Sequence, residues 1–296
     1  MPRVNANGIQ IEYESFGSPS NRQLLLIMVL GLQMIHWDDD LCKDLADRGN
    51  YVIKYDNRDV GLSTKFDEAG IPDLMRTFEK LIRKEAVTPA YTLDDMADDG
   101  VGLLTALGIQ RAHICGMSMG GMIAQSIAIR HPSRILSLTS IYSTTGNPKI
   151  PQPTPEVIEL LVSPPPTERE ACIEHMMRLF KTLNGPRYPI DKIWTYKIMA
   201  ESFDRCFYPQ GIARQLVAIL TQSNREPVLS SINVPTLVIH GTSDSLVSVE
   251  GGKTTAKVIP GAQLMLIDGM GHDLPHGGAW PQIINAIATH TQNATI

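Results

Sequence analysis

The pentapeptide Gly116-Met117-Ser118-Met119-Gly120 carries the clearest chemical content in the chain. It fits Gly-x-Ser-x-Gly, and it sits between Ala112-His113-Ile114-Cys115, which reads as a short buried strand, and Met119 to Arg130, which reads as a helix. A strand turning sharply into a helix crowds Cβ and backbone atoms around the central residue, so small flanking residues are the condition for holding Ser118 outward in a strained pose. Gly116 and Gly120 meet that condition, and Gly121, Ala124 and Ala128 let the helix lie close on a sheet with its positive N-terminus toward whatever Ser118 attacks. A serine hydroxyl is a weak nucleophile at neutral pH. It needs a base to take its proton, and the base needs an acid to fix its tautomer and stabilise its charge. Asp244, in Gly241-Thr242-Ser243-Asp244-Ser245, and His272, in Gly269-Met270-Gly271-His272-Asp273, are the candidates, because each loop follows an apolar run.

Those runs are the elements that must position the three side chains. Ile9 to Phe16 alternates apolar and polar residues, as a half-exposed strand near a sheet edge does, whereas Leu24 to Val29 is apolar throughout, as in strands covered on both faces. Tyr51 to Tyr55 partly repeats that pattern after a helical stretch near Trp37 to Arg48, and Ile135 to Ile141, Thr236 to His240 and Leu264 to Ile267 are further strands. Alternation of strand and helix predicts a parallel sheet, in which ligands bind beyond the carboxyl ends of the strands, where Ser118, Asp244 and His272 fall. Thr92-Leu93-Asp94-Asp95 predicts a helix opened by a capping box and closed at Gly108. A last amphipathic helix around Trp280 to Ala288 turns Ile283, Ile284 and Ile287 to the sheet.

The pattern changes between Ile141 and Ser231. Prolines 148, 151, 153, 155, 164, 165 and 166 punctuate the chain, Thr167-Glu168-Arg169-Glu170 predicts a capping box opening a helix to about Leu183, and helical stretches follow near Asp191 to Arg205 and Gln210 to Gln222. This reads as an inserted helical cap over residues 144–231, on a core made of residues 1–143 and 232–296. Of its apolar residues Met176, Met177, Phe180, Trp194, Met199, Phe203 and Phe207, most are expected to pack helices together and a minority to line a pocket. Between Phe66 and Pro89, Leu74, Phe78, Leu81, Ile82 and Glu85 follow helical spacing and predict an amphipathic helix on the body, with a mobile lid as the alternative.

Composition excludes other classes. With 26 Lys plus Arg against 31 Asp plus Glu, the net charge is −5, and no basic run tracks a phosphate backbone, so nucleic acid is not an expected partner. Met1-Pro2-Arg3-Val4-Asn5 opens no apolar signal region, and Leu24 to Leu30 is too short to span a bilayer, so a soluble, cytoplasmic protein is expected. Cys42, Cys115, Cys172 and Cys206 have neither metal-ligand nor redox spacing and read as free structural thiols, with Cys115 packed inside its strand. Neither metal nor cofactor is called for, and the oligomeric state is not readable.

The order Ser118, Asp244, His272, each after a strand, resembles the α/β-hydrolase superfamily over nearly the whole chain. Asp56-Asn57-Arg58-Asp59-Val60-Gly61-Leu62-Ser63, similar to the loop after the family's fourth strand, and Gly271-His272-Asp273-Leu274-Pro275 around the base extend the likeness. Within the superfamily the chain looks most like bacterial carboxylesterases related to aclacinomycin methylesterase, and like 3-oxoadipate enol-lactonase. The resemblance implies an α/β-hydrolase fold: a mostly parallel central sheet flanked by helices, with an inserted helical cap. It also implies an oxyanion hole of two backbone N–H groups, from Met119 after the nucleophile and from the loop after the Leu24 to Ile27 strand. There many relatives have His-Gly and this chain has Met28-Val29-Leu30-Gly31, which aligns Leu30 with the donor.

Some relatives carry the acid one strand earlier, but Ser140-Ile141-Tyr142-Ser143 has no carboxylate, which leaves Asp244 without a rival. Asp273, adjacent to the base, reads as a loop stabiliser, and His240 as part of its strand. The serine also sets the chain apart from dehalogenases and epoxide hydrolases of this fold, which use an aspartate. The expected activity is hydrolysis of a small to medium apolar carboxylic ester through an acyl-enzyme on Ser118. A lactone hydrolase, a perhydrolase, a carbon-carbon bond hydrolase and a non-catalytic binding protein are the alternatives.

Overall fold

The apolar runs assemble into one eight-stranded sheet in the computed structural model, which describes residues 2–294; Met1, which opens the segment read as leaderless, and Thr295 and Ile296 lie outside the described residues. Its strands are β1 (Arg3–Ala6), β2 (Ile9–Phe16), β3 (Arg22–Ile27), β4 (Asn50–Tyr55), β5 (Ala112–Met117), β6 (Ile135–Ile141), β7 (Thr236–Gly241) and β8 (Gln263–Ile267). They lie in the order β1-β2-β4-β3-β5-β6-β7-β8. β1 and β2 run antiparallel to their neighbours, and every pairing from β4 to β8 is parallel. The half-exposed strand expected near an edge is thus β2, one place in from β1. At the opposite edge, β8 leaves Leu264 and Leu266 exposed, although its sequence is as apolar as that of an inner strand.

Before the insertion come α1 (Asp39–Asp47), α2 (Leu74–Ile82), α3 (Leu93–Ala106) and α4 (Met119–Arg130). Between β6 and β7 lie α5 (Pro155–Val162), α6 (Arg169–Leu183), α7 (Lys192–Arg205), α8 (Pro209–Leu220) and the short α9 (Glu226–Leu229), and the chain continues with α10 (Val249–Val258) and α11 (Trp280–Asn293). The pleat divides the inner strands between two layers: Leu25 and Ile27 of β3 join α3 and α4 on one face, while Leu24 and Leu26 join α1 and α11 on the other. All four are fully buried, at about 1.5–3 kcal/mol of transfer free energy per side chain, which is why a continuous apolar run suits this strand.

Local signals account for several boundaries. Asp95 N–H donates to Thr92 Oγ1 at 3.2 Å and Thr92 N–H to Asp95 Oδ2 at 2.7 Å, the reciprocal pair that the sequence predicts, and Gly108 follows the helix at φ +73°. The cap expected at Thr167 is instead Glu168, whose longer carboxylate accepts from Glu170 N–H at 3.1 Å and Ala171 N–H at 2.7 Å. α5 was hidden among prolines, and Pro155 is its first residue, where a missing N–H costs nothing.

The helix expected on the body is displaced. α2 packs beside α8, buries only Thr77, and turns Leu74, Met75 and Phe78 to the wall of a cavity; Ile82 is 81% exposed and Glu85 lies beyond the helix. With α3 and α4 already covering the sheet face, α2 is left beside α8 of the insertion. No helix among the described residues is long and apolar enough to cross a membrane. Cys42, Cys115 and Cys172 are buried free thiols and Cys206 is partly buried.

Candidate active site

Ser118 occupies a backbone conformation that L-residues rarely adopt, φ +51°, at the junction of β5 and α4. Its surroundings over-determine that pose. Ser118 N–H donates to Ile141 O at 2.9 Å, and the Ser143 hydroxyl donates to Ser118 O at 2.7 Å. A Cβ at Gly116 would lie 2.0 Å from Gly120 O, one at Gly120 would lie 2.2 Å from Ile27 O, and one at Gly121 would lie 2.6 Å from Ser143 Cβ. The glycines are there because backbone passes through the space a side chain would fill.

The three residues selected from strand-end loops meet at this turn. His272 Nε2 lies 2.9 Å from Ser118 Oγ, and His272 Nδ1 lies 2.8 Å from Asp244 Oδ2. A carboxylate only accepts, so Nδ1 carries the proton and Nε2 presents a lone pair to the serine hydroxyl. Asp244 is held in turn by Leu246 N–H at 2.9 Å and Val247 N–H at 2.8 Å on Oδ1. Burial alone would raise its carboxyl, but the charge of His272 and the hydrogen bonds from His240 and His272 overrule burial and hold it at about 2. The Tyr142 ring leans on the His272 ring, centroids 4.7 Å apart, and so limits where the imidazole can swing.

Two neighbours behave differently from one another. His240 was read only as a strand residue, yet its Nε2 lies 2.9 Å from Val247 O and 3.3 Å from Asp244 Oδ2, making it a second imidazole on the acid. Its position four residues before Asp244 was the one signal in the sequence. Asp273 stays out of the relay, since Asp244 occupies Nδ1 of His272. Burial pushes the Asp273 carboxyl up to about 7, against the opposing charge of His272 and the backbone N–H groups of Gly271 and Gly185, so its ionised form is disfavoured in the loop it was expected to stabilise.

The loop after β3 lies against the start of α4, since Gly120 approaches the carbonyls of both Ile27 and Met28. The Asp56–Ser63 segment holds it from below: Asn57 Nδ2 donates to Met28 O at 3.1 Å and Met34 N–H donates to Asp56 Oδ1 at 2.8 Å. Gly31 N–H of this loop is engaged by the side chain of Gln215, 2.9 Å away.

Above Ser118 opens a cavity of about 1200 Å³, larger than the roughly 300–1,000 Å³ common for small-molecule sites. Its walls are mostly apolar and include Val29 and Leu30 of the loop after β3, Phe78 of α2, Met176, Phe180 and Trp194 of the insertion, and Leu246 and Leu274 of the loops after β7 and β8. Met177, Met199, Phe203 and Phe207 do not line it, so only a minority of the seven apolar insertion residues face the cavity. No group of His, Cys, Asp and Glu among the described residues is arranged to hold a metal ion.

A family model described as alpha/beta hydrolase fold matches residues 26–279. Rhodomycin D methylesterase of Streptomyces sp. strain C5 is 28% identical, covering 99% of this chain and 98% of its own. That of Streptomyces peucetius is also 28% identical, covering 96% and 95%. The solved structure of the enol-lactonase from Burkholderia xenovorans LB400 superposes with a TM-score of 0.69 at 22% identity, over 99% of both chains.

Proposed function

This chain belongs to the alpha/beta hydrolase fold family, and from that premise we propose that it is an esterase-type hydrolase in which Ser118 is the nucleophile, His272 the general base and acid, and Asp244 the orienting acid. The observation that carries the reading is the unbroken relay from Ser118 Oγ through both ring nitrogens of His272 to a buried, ionised Asp244. Ser118 Oγ attacks the ester carbonyl as its proton passes to His272 Nε2. The C–O π pair becomes an oxyanion facing the N–H groups of Met119 and Leu30, at the positive end of α4. The oxyanion collapses, the bond to the alcohol oxygen breaks, and Nε2 returns its proton to the departing alcohol. Water then gives a proton to Nε2, attacks the acyl-enzyme, and releases the acid and Ser118.

The substrate class is a carboxylic ester with a bulky apolar body and a small alcohol. The cavity has room for more than the small to medium ester that the sequence suggests, and two relatives matched over at least 95% of both chains are named as methylesterases. Residues 144–231 act as the cap that encloses this body above the core of residues 1–143 and 232–296, with α2 completing the rim.

The test is hydrolysis of p-nitrophenyl butyrate and of methyl esters of increasing acyl size by the wild type beside Ser118→Ala, with lactones in the same panel. Turnover lost in the variant, with kcat/KM rising toward bulky methyl esters, supports the reading. Equal activity of both proteins removes Ser118 as nucleophile, and preference for lactones over linear esters removes the ester assignment.

A further inference from the structure

The loop after β3 is gripped from the insertion side as well as from the core. α8 lies so close on it that a Cβ added at Gly31, where φ is +71°, would sit 2.9 Å from Ile212 Cγ1. Three residues further along α8, the fully buried Gln215 reaches between two loops: its Oε1 accepts from Gly31 N–H at 2.9 Å and its Nε2 donates to Arg58 O at 2.7 Å. The next residue back, Arg214, anchors the same turn of α8 through Nε and Nη2 to the Asp59 carboxylate, at 2.7 and 2.9 Å. One amide thus joins the loop after β3 to the loop after β4. Only a side chain with both an acceptor and a donor can do this.

Resting on the assignment of Ser118 as nucleophile and of the Leu30 N–H as oxyanion donor, we propose that Gln215 is a positioning residue that completes the oxyanion hole from the insertion. Peptide groups are planar, so fixing the Gly31 N–H orients the Leu30–Gly31 peptide, from which the Leu30 N–H is separated only by φ and ψ of Leu30. With α8 seated, that N–H is held for the developing oxyanion.

The test compares wild type, Ser118→Ala, Gln215→Leu and Gln215→Glu. The readouts are kcat and KM for p-nitrophenyl butyrate, inhibition by an aryl trifluoromethyl ketone, whose adduct on Ser118 bears an oxyanion, and inhibition by butyrate. Gln215→Leu is expected to lower kcat about tenfold, less than the 10²–10³ for outright loss of a donor, with KM within about twofold. Affinity for the ketone falls by the same factor as kcat/KM, and affinity for butyrate is unchanged. Gln215→Glu keeps an acceptor for Gly31 N–H and, while neutral, a donor for Arg58 O. Its kcat relative to wild type is expected to fall at least about threefold between pH 5.5 and 8.5 as the carboxyl ionises beside the hole. This second readout stands if Gln215→Leu does not fold. A folded Gln215→Leu with wild-type kcat and ketone affinity, ketone and butyrate affinities that fall together, or a pH-independent Gln215→Glu ratio overturns the proposal. A wild type without Ser118-dependent turnover overturns the esterase reading, and this inference with it, before any Gln215 variant is measured.

Discussion

His240 Nε2 lies 3.3 Å from Asp244 Oδ2, the same oxygen that His272 Nδ1 reaches at 2.8 Å, so one carboxylate oxygen faces two imidazoles. Val247 O, 2.9 Å from His240 Nε2, only accepts, which puts the proton of His240 on Nε2 and directs it toward this carbonyl and the carboxylate. His240 therefore braces both Asp244 and the loop that carries it. Replacing it by leucine is expected to lower kcat about fivefold with little change in KM, and to cost about 1–3 kcal/mol of stability by leaving Val247 O unpaired. His240→Gln, whose amide can still donate to Val247 O, recovers most of both. Steady-state kinetics with denaturant unfolding checks this, and a leucine variant with wild-type kcat would show that Asp244 needs no second imidazole.

Asp244→Asn separates orientation from charge. An asparagine turns either an oxygen toward Nδ1, leaving the pair neutral, or an amide N–H, which forces the imidazole proton onto Nε2, where it can no longer accept from Ser118. By the measure of other serine triads the loss in kcat is about 10⁴-fold, with KM little changed. Removal of Ser118 is expected to cost at least as much. Single-turnover release of p-nitrophenol reads both, and a decrease below tenfold for Asp244→Asn contradicts the role given to this acid.

The elbow glycines are predicted to fail for a reason of space. Gly120→Ala sets a methyl 2.2 Å from Ile27 O, between two pieces of backbone that cannot yield, and Gly116→Ala meets Gly120 O at 2.0 Å. Each is expected to cost more than about 3 kcal/mol and to abolish activity. Gly108→Ala, where nothing lies within 4 Å and only φ +73° is strained, is expected to cost about 1 kcal/mol and leave activity intact. Thermal unfolding of the three variants decides whether contact or backbone angle dominates.

This contrast also marks what is legible in a single sequence. Ser118 and its glycines can be read because the crowding that demands them is local, and Asp244 and His272 because each follows its own strand. His240 was visible as a residue but not as a partner. Gln215 could not be found at all, since Arg58 is 157 residues away and nothing in a helical pattern says which buried glutamine meets which carbonyl. α2 shows the same limit: its periodicity was readable, its partner was not, because that depended on which sheet face α3 and α4 had already taken.

The size of the cavity predicts that its walls act on bulky substrates alone. Phe78 of α2 and Phe180 of α6 both face it. Phe78→Ala or Phe180→Ala is expected to raise KM about three- to tenfold for large methyl esters, through lost apolar contact, while p-nitrophenyl acetate is hydrolysed as before. Equal effects on both substrates would mean that these rings support the fold and not the acyl group.

Two carboxyls beside His272 should impose opposite pH dependences on stability. Asp244 is held at about 2, below its ordinary 3.8, so its contribution is present above about pH 4 and lost as pH falls toward 2; a shift of that size is worth about 2 kcal/mol. Asp273 is pushed up to about 7, so its contribution is present below about pH 4 and lost as pH rises to 7. Because Asp273 is only partly buried, solvent screening reduces that loss to about 1–3 kcal/mol. Urea unfolding at pH 3, 5 and 8 separates the two. Asp244→Asn is expected to be less stable than wild type at pH 8, with the difference closing toward pH 3, and Asp273→Asn more stable than wild type at pH 8, with the difference closing toward pH 4. If Asp273→Asn is instead the less stable protein at pH 8, the carboxylate form is the one the loop binds, and its hydrogen bonds outweigh its burial.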